Sequence, residues 1–186
     1  MIFSNKDILE HLDKNHIVIS GFIEECMRPS SYLLRIDSKL LKMKKSGSMI
    51  DTKSTDTSLF FDEVIMDNDG LVLKPGDFVL GSSIEKISLN SSICGDLYQL
   101  SCYARIGLNI NFSSCHVAAT FGVNKPSSIT FEISNQSQNE IKIYPGVKFC
   151  HLRFHKHLTP STLLYTGIYA EKDDAMASNF AIKPAK

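Results

Sequence analysis

The sequence predicts one mainly β domain of the double-sheet jelly-roll type, with a short helix at its N-terminus. Two observations support this prediction: short apolar runs of period two recur along the chain, and two segments share a strand, Pro-Gly, strand pattern. Many short strands separated by turns are also typical of a generic β-sandwich, which remains the alternative. The 186 residues suit a single domain, so we take residues 1–186 as one unit.

The N-terminal segment carries the signals of a helix. Ser4 can cap it, and Asp7 stands at the third helical position, as in a capping box. Ile8, Leu9 and Leu12 then recur at helical spacing. We therefore expect a helix that begins directly after Ser4.

Beyond this helix, apolar residues alternate as they do in half-buried strands. The predicted strands fall in the ranges 32–37, 59–66, 78–84, 106–112, 129–133, 141–143 and 147–149. Residues 44–58, rich in Lys, Ser, Thr and Asp, are predicted to form a loop. Residues 155–186 show little strand patterning and are predicted to form a C-terminal arm, either packed on a neighbouring subunit or mobile.

Two segments repeat the same turn chemistry. Leu71–Leu80 and Ile141–Cys150 each place a Pro-Gly pair between two apolar runs. Proline fixes φ at the first central position of a type II turn, and glycine supplies the positive φ needed next. We therefore predict two β-hairpins, each closed by its Pro-Gly turn.

Composition and charge argue against several classes of function. Lys and Arg number 20, as do Asp and Glu, so no global basic field gathers polymeric nucleic acid. Neither a signal peptide nor a long apolar run is evident, which predicts a cytoplasmic protein with no membrane contact. The five cysteines include no Cys-x-x-Cys pair and are expected to be reduced thiols.

Three histidines lie near one another in the sequence and could indicate a metal site. His151, His155 and His157 would share one face if their segment is a strand. No carboxylate or second thiolate stands beside them, whereas structural zinc sites take four such ligands. We therefore predict a polar strand face and no metal site.

Five short motifs follow one another along the chain. They are Ser4 to Leu9, Arg28 to Ile36, Leu73 to Glu85, Ser101 to Leu108 and Thr130 to Asn135. Together they span most of residues 1–154 and resemble the dCTP deaminase family of the dCTP deaminase/dUTPase superfamily. The resemblance implies a distorted jelly roll of the β-clip type, assembled as a homotrimer with active sites between subunits.

The same resemblance assigns catalytic roles. Glu132 aligns with a general base that moves a proton from water to the leaving amine without zinc. Arg105 and Ser101 match residues that hold this base and the catalytic water. A base of this kind works best with its pKa shifted toward neutrality by partial burial. The alternatives are a solvated strand residue for Glu132, a surface ion pair or trimer contact for Arg105, and a turn hydroxyl for Ser101.

Further positions are expected to contact the nucleotide. By resemblance, backbone groups near Ser113 and Ser114 read the base, and His116 stands where another Arg is usual. Tyr165 and Tyr169 would stack on the base or close over it; aromatic packing is the alternative. Mg²⁺ is expected to accompany the triphosphate, since it binds through phosphates. No zinc is expected, because the H-x-E…P-C-x-x-C signature is absent.

Several positions depart from the family pattern. Leu100 replaces the first Arg of an Arg-Ser-Ser motif, and Cys102 replaces its second Ser. Segment 118–126 lacks the family's Asp, and the C-terminal element at 165–169 lacks its Lys and Gln. In the family these positions hold triphosphate and sugar. Candidate replacements for the lost phosphate-binding cations are Lys125, Lys148 and Arg153.

These observations leave three hypotheses open. The first is hydrolytic deamination of dCTP to dUTP and ammonia, with Glu132 as general base. The second is a dUTPase-type or bifunctional triphosphate hydrolase, which the missing Asp disfavours. The third is a non-catalytic relative that binds a nucleotide or a protein partner. The expected ligand is dCTP, with dUTP and dTTP as further candidates.

Overall fold

The computed structural model describes residues 1–110, 114–167, 169–171 and 173–182. Within these ranges lie two helices, α1 (Asn5–Asp13) and α2 (Ser101–Ala104), and 3-10 turns at Glu24–Cys26 and Thr57–Phe60. The strands in the same ranges are β1 (Ile17–Ser20), β2 (Met27–Arg28), β3 (Ser31–Arg35), β4 (Lys39–Met43), β5 (Phe61–Ile65), β6 (Leu71–Leu73), β7 (Phe78–Leu89), β8 (Ile93–Gln99), β9 (Leu108–Ile110), β10 (His116–Val117), β11 (Ser127–Asn135), β12 (Ile141–Ile143) and β13 (Lys148–Lys156).

Two larger sheets enclose a common hydrophobic core. The first has the strand order β5-β4-β7-β11-β9, with β1 also paired to β7, and the second has the order β10-β8-β13-β3-β2. The rings of Phe131 in β11 and Phe149 in β13 meet in this core, with their centroids 5.7 Å apart. This mainly β architecture with a short N-terminal helix confirms the predicted fold class. No helix in the described part of the chain is long and apolar enough to cross a membrane.

The N-terminal helix α1 begins where the sequence predicts. The Asp7 N–H donates to Ser4 Oγ at 3.3 Å, and the Ser4 N–H donates to the Asp7 carboxylate at 2.7 Å, so the capping box is complete. Ile8 is fully buried in the core. The helix is therefore fixed both by its cap and by its apolar face.

The two Pro-Gly segments do not form the predicted hairpins. Gly76 and Gly146 do have the positive φ of a type II turn, at +80° and +77°. However, β6 pairs with β12, with Leu73 opposite Ile141, and these strands form a separate two-stranded sheet. β7 and β13 then continue into different large sheets. The hairpin prediction was wrong because Pro-Gly chemistry determines the backbone of a turn and not the partner of the preceding strand.

Other segments differ from prediction in detail. A 3-10 turn, Thr57–Phe60, stands where a strand was predicted to begin, and β5 follows it. Ile106 lies exposed after α2 and not in a strand, because a helical turn precedes β9. Phe112 lies outside the described residues. Residues 44–55 form no helix or strand, in agreement with the predicted loop.

Candidate functional site

One cavity, with a volume of ≈ 630 Å³, brings together most of the side chains that the sequence singled out. Strands β4, β7 and β11, the segment 114–121 and the C-terminal arm all contribute to its wall. The predicted site residues that line it are Ser114, His116, Glu132, Tyr165 and Tyr169. Ser113 lies outside the described residues.

Alternation along β11 places Glu132 on the cavity. Phe131 and Ile133 are fully buried in the core, so Glu132 projects from the opposite face of the strand, opposite Leu80 of β7. Leu80 also lines the cavity. Glu132 is half-buried, and this burial raises the pKa of its carboxyl. Glu132 is therefore not the fully solvated strand residue of the alternative interpretation.

The wall of this cavity is largely apolar. Phe61 and Phe78 line the cavity with ring centroids 6.5 Å apart. Burial, with a further contribution from the charge of Glu132, raises the pKa of the Cys150 thiol to about 12. This cysteine therefore stays a protonated thiol and does not supply a nucleophile beside Glu132.

Ser114 and His116 form the exposed edge of the cavity. His116 opens β10 opposite Asp96 of β8, and its Nδ1 lies 3.7 Å from Asp96 Oδ1. The imidazole thus lies near a carboxylate at the exposed edge of the cavity. An imidazole N–H there can donate a hydrogen bond to an anion.

Tyr165 and Tyr169 reach the cavity from the C-terminal arm. The Tyr165 N–H donates to Thr120 Oγ1 at 2.6 Å, and its ring lies 5.7 Å from that of Phe121. The Tyr169 hydroxyl donates to Ser178 Oγ at 3.1 Å. Both tyrosines therefore pack within their own chain and also border the cavity.

The arm folds back over the cavity of its own chain. β13 continues through Lys156, so the chain leaves the sheet slightly later than the predicted arm boundary at 155. Farther on, the Thr57 N–H donates to Ser178 O, and the Phe180 N–H donates to Thr55 O, each at 2.9 Å. These contacts join the loop 44–58 to the arm. Sequence reasoning missed them because no motif spacing links the two segments.

Ser101 and Arg105 do not line this cavity. Ser101 opens α2, Arg105 caps its C-terminal end, and both are exposed. Arg105 borders a separate open groove together with Ser137. Tyr103 lies between Ser101 and Arg105 in the chain. Its ring packs 5.2 Å from that of Phe149, and this contact fixes α2 to the core. Within one chain, the three predicted catalytic residues therefore lie in two places.

The histidines of β13 make protein contacts. His151 Nδ1 is hydrogen-bonded to Ser31 Oγ at 2.9 Å, and His155 Nε2 lies 2.9 Å from Asp96 Oδ2. Among the residues that the structure describes, no group of three or more His, Cys, Asp or Glu side chains could hold a metal ion.

Comparison with known proteins identifies the family. The family profile described as dCTP deaminase-like matches residues 2–157. The chain belongs to the dCTP deaminase-like family. Its relatives include dUMP-forming dCTP deaminases of Dictyoglomus turgidum, 29% identical over 89% of this chain and 85% of the relative, and of Corynebacterium kroppenstedtii, 31% identical over 89% and 87%. These matches confirm the resemblance carried by the five motifs.

A solved structure supports the same fold. The 2'-deoxycytidine 5'-triphosphate deaminase from Agrobacterium tumefaciens matches this family member with a TM-score of 0.64 at 17% sequence identity. The match covers 82% of this chain and 47% of that chain, so this chain spans about half the length of that protein.

Proposed function

We propose that this protein hydrolyses the cytosine amino group of dCTP, with Glu132 as the general base. The observation that carries the proposal is a half-buried carboxylate with a raised pKa, in the largely apolar wall of a cavity, in a chain of the dCTP deaminase-like family. Carboxylates tuned in this way are common among catalytic acids and bases.

The chemistry requires one proton to be moved twice. Glu132 would accept a proton from a water molecule aimed at C4 of cytosine and pass it to the leaving amine. Water and the cytosine base thereby give a uracil base and ammonia. A pKa raised toward neutrality suits both halves of this cycle, because the group must first accept the proton and then donate it.

Ser101 and Arg105 would come to this cavity from another copy of the chain. They are exposed on α2 and lie apart from the Glu132 cavity within one copy, whereas the family resemblance implies a homotrimer with sites between subunits. The Arg105 guanidinium would hold the catalytic water in line with Glu132, and the Ser101 hydroxyl would bind that water or a phosphate oxygen. A closed cyclic assembly allows every site to be completed in the same way.

The cavity edge and the arm would hold the nucleotide. Backbone groups near Ser114 would read the base, His116 would face the charged part of the substrate, and Tyr165 and Tyr169 would close over the base. Mg²⁺ would arrive with dCTP as its phosphate complex. Phosphate oxygens would supply its ligands, in keeping with the preference of this ion for oxygen donors and bound water.

A second candidate product is dUMP in place of dUTP. The names of the two relatives favour it, because both are described as dUMP-forming. This product needs a further water molecule to cleave between the α- and β-phosphates, with release of pyrophosphate. Segment 118–126 contains no carboxylate to aid that step. Among the described residues that line the cavity, the carboxylates are Glu132 and Asp174.

One assay tests the base and the product together. Purified protein is incubated with dCTP and Mg²⁺, ammonia is measured, and nucleotides are separated by chromatography. We expect ammonia release, and a loss of about 10²–10⁴-fold in the Glu132→Gln variant, as for removal of a general base. Glu10→Gln, a neutralised surface carboxylate on α1, is the control and should keep the wild-type rate.

The products separate the candidates. Accumulation of dUTP supports simple deamination, and dUMP with an equal amount of pyrophosphate supports the second candidate. Ammonia release by Glu132→Gln at the wild-type rate contradicts the assigned base. Binding of dCTP without any ammonia release would reject the enzymatic proposal in favour of a non-catalytic relative.

A further inference from the structure

Three lysines from different parts of the chain converge on two adjacent carboxylates of the arm. Lys86 Nζ lies 2.8 Å from Asp173 Oδ1, and Lys125 Nζ lies 2.5 Å from Asp173 Oδ2. Lys39 Nζ lies 3.4 Å from Asp174 Oδ2. Asp174 lines the Glu132 cavity. The lysine cluster, defined as Lys39, Lys86 and Lys125, therefore stands at the edge of the candidate site.

Strand geometry places Lys39 and Lys86 on the cavity face of the first sheet. Lys39 lies an even number of residues from Met43 in β4, and Met43 lines the cavity. Lys86 of β7 lies opposite Ser128 of β11, and Ser128 also lines the cavity. Ser128 precedes Glu132 by four residues, about 13 Å along a strand. The lysine cluster and the Glu132 carboxylate thus lie at separate points of one surface. Such a separation suits groups that bind the two ends of a nucleotide.

Ser82 is a further polar residue on this face. It is 1% exposed, and its Oγ has no hydrogen-bond partner among the described residues. It lies in β7 opposite Thr130, which lines the cavity. Buried hydroxyl groups in folded proteins are normally hydrogen-bonded, so Ser82 Oγ can bond a polar group that enters from this face.

We propose that the lysine cluster is a polyphosphate-binding subsite, and that Asp173 and Asp174 occupy it in the nucleotide-free chain. This inference rests on the proposed function, because it places the triphosphate of the same dCTP at the end of the cavity away from Glu132. Carboxylate and phosphate oxygens are both anionic acceptors, and the lysine ammonium binds either one as a point charge. In this chain the three lysines would replace the cationic residues of the family motifs that are absent here.

The acidic pair and the substrate phosphates then compete for the same lysines. A triphosphate offers more anionic oxygens within one molecule than the carboxylates of Asp173 and Asp174, so it displaces them when it binds at sufficient concentration. The arm stays attached by the backbone hydrogen bonds between Thr57 and Ser178 and between Thr55 and Phe180. The Asp173–Asp174 turn is therefore released while the rest of the arm keeps covering the cavity.

Calorimetric titration of the full chain with inorganic tripolyphosphate tests the subsite apart from any base chemistry. Lys86→Ala and Lys125→Ala should each weaken binding about tenfold, because each removes one charge-assisted contact. Asp173→Asn should tighten binding, because it removes a competing carboxylate. Lys14→Ala is the matched control: its side chain is 52% exposed, against 53% for Lys125, and it also forms a 2.5 Å ion pair, with Glu10.

The outcomes separate this inference from the proposed function. The subsite proposal is overturned if both lysine variants bind tripolyphosphate with wild-type affinity. It is also overturned if neither the wild type nor Asp173→Asn binds tripolyphosphate. Weakened binding in the lysine variants supports the subsite even if dCTP yields no ammonia, a result that rejects only the deaminase proposal. Unchanged thermal midpoints show that the variants remain folded.

Discussion

Arg35 donates two hydrogen bonds to Glu85, from its backbone N–H to Oε2 at 2.8 Å and from its Nε to Oε1 at 2.7 Å. Arg35 ends β3 of the second sheet, and Glu85 belongs to β7 of the first, so the pair joins the two large sheets. The Glu85 side chain is fully buried. A buried carboxylate held in this way depends on its partner charge.

Replacing Arg35 by Ala should lower the free energy of unfolding by about 3–5 kcal/mol, because Glu85 would stay buried without its partner charge. Urea unfolding with linear extrapolation measures the change. Lys44→Ala is the control, since the Lys44–Asp62 pair is exposed and should contribute at most about 1 kcal/mol. Equal losses in the two variants would contradict the assigned role of the buried pair.

Gly122 should tolerate a side chain far less well than Gly76. Both have positive φ, so alanine at either position carries a left-handed strain of about 1–2 kcal/mol. At Gly122 a Cβ would also stand 2.1 Å from the Ile87 carbonyl oxygen, whereas at Gly76 nothing lies within 4 Å. Thermal unfolding should therefore show a clearly larger loss for Gly122→Ala than for Gly76→Ala. Similar losses would mean that the backbone at Gly122 moves aside.

Glu132 should make activity and stability respond to pH in opposite directions. The base must be ionised, so kcat/KM should fall as pH drops through the raised pKa of Glu132. For stability, the folded chain holds this proton more tightly than the unfolded chain. The contribution of Glu132 therefore decreases as pH rises from the ordinary carboxyl range through the raised pKa, and it stays low above that pKa.

Glu132→Gln should abolish this decline, because the amide stays uncharged at every pH. Urea unfolding of both proteins from acid to neutral pH measures the difference. The variant should gain stability over the wild type as pH rises, while losing activity. A stability difference that does not change with pH would count against the pKa shift.

Mixing two inactive variants should restore activity if the site lies between copies of the chain. Arg105→Ala and Glu132→Gln each damage one half of the site. Random reassembly after mild denaturation should regenerate about a quarter of the sites with both halves intact. Ammonia release from dCTP measures the recovery, and light scattering measures the mass of the assembly. No recovery in a mixed assembly would place both residues in the same copy.

The sequence predicted local structure well and strand pairing poorly. The helix after Ser4 and the alternation around Glu132 depend on neighbouring residues, so capping and periodicity were sufficient. The turn backbone at Gly76 and Gly146 was predicted for the same reason. The pairing of Leu73 with Ile141 was not predicted, because it depends on residues far apart in the chain.

The candidate site was predictable only in part. Family motifs pointed to Glu132, and the cavity gives it the partial burial that a general base needs. They did not point to Asp173 or Lys86, because no spacing rule connects a strand lysine with a carboxylate in a distant arm. The separation of Arg105 from the Glu132 cavity within one copy also could not be derived from motif spacing, because it depends on how α2 and β11 pack in the fold.

The small sheet of β6 and β12 has a consequence for how the chain is made. Its two strands are roughly seventy residues apart in the sequence. Closing such a loop costs entropy, and the contacts between the strands can offset this cost only after both strands have been synthesised. A nascent chain that has emerged from the ribosome as far as β11 therefore still has β6 waiting for the strand it pairs with. Neither Pro-Gly segment is an autonomous folding unit, and this domain should reach its native state only after β12 has been synthesised.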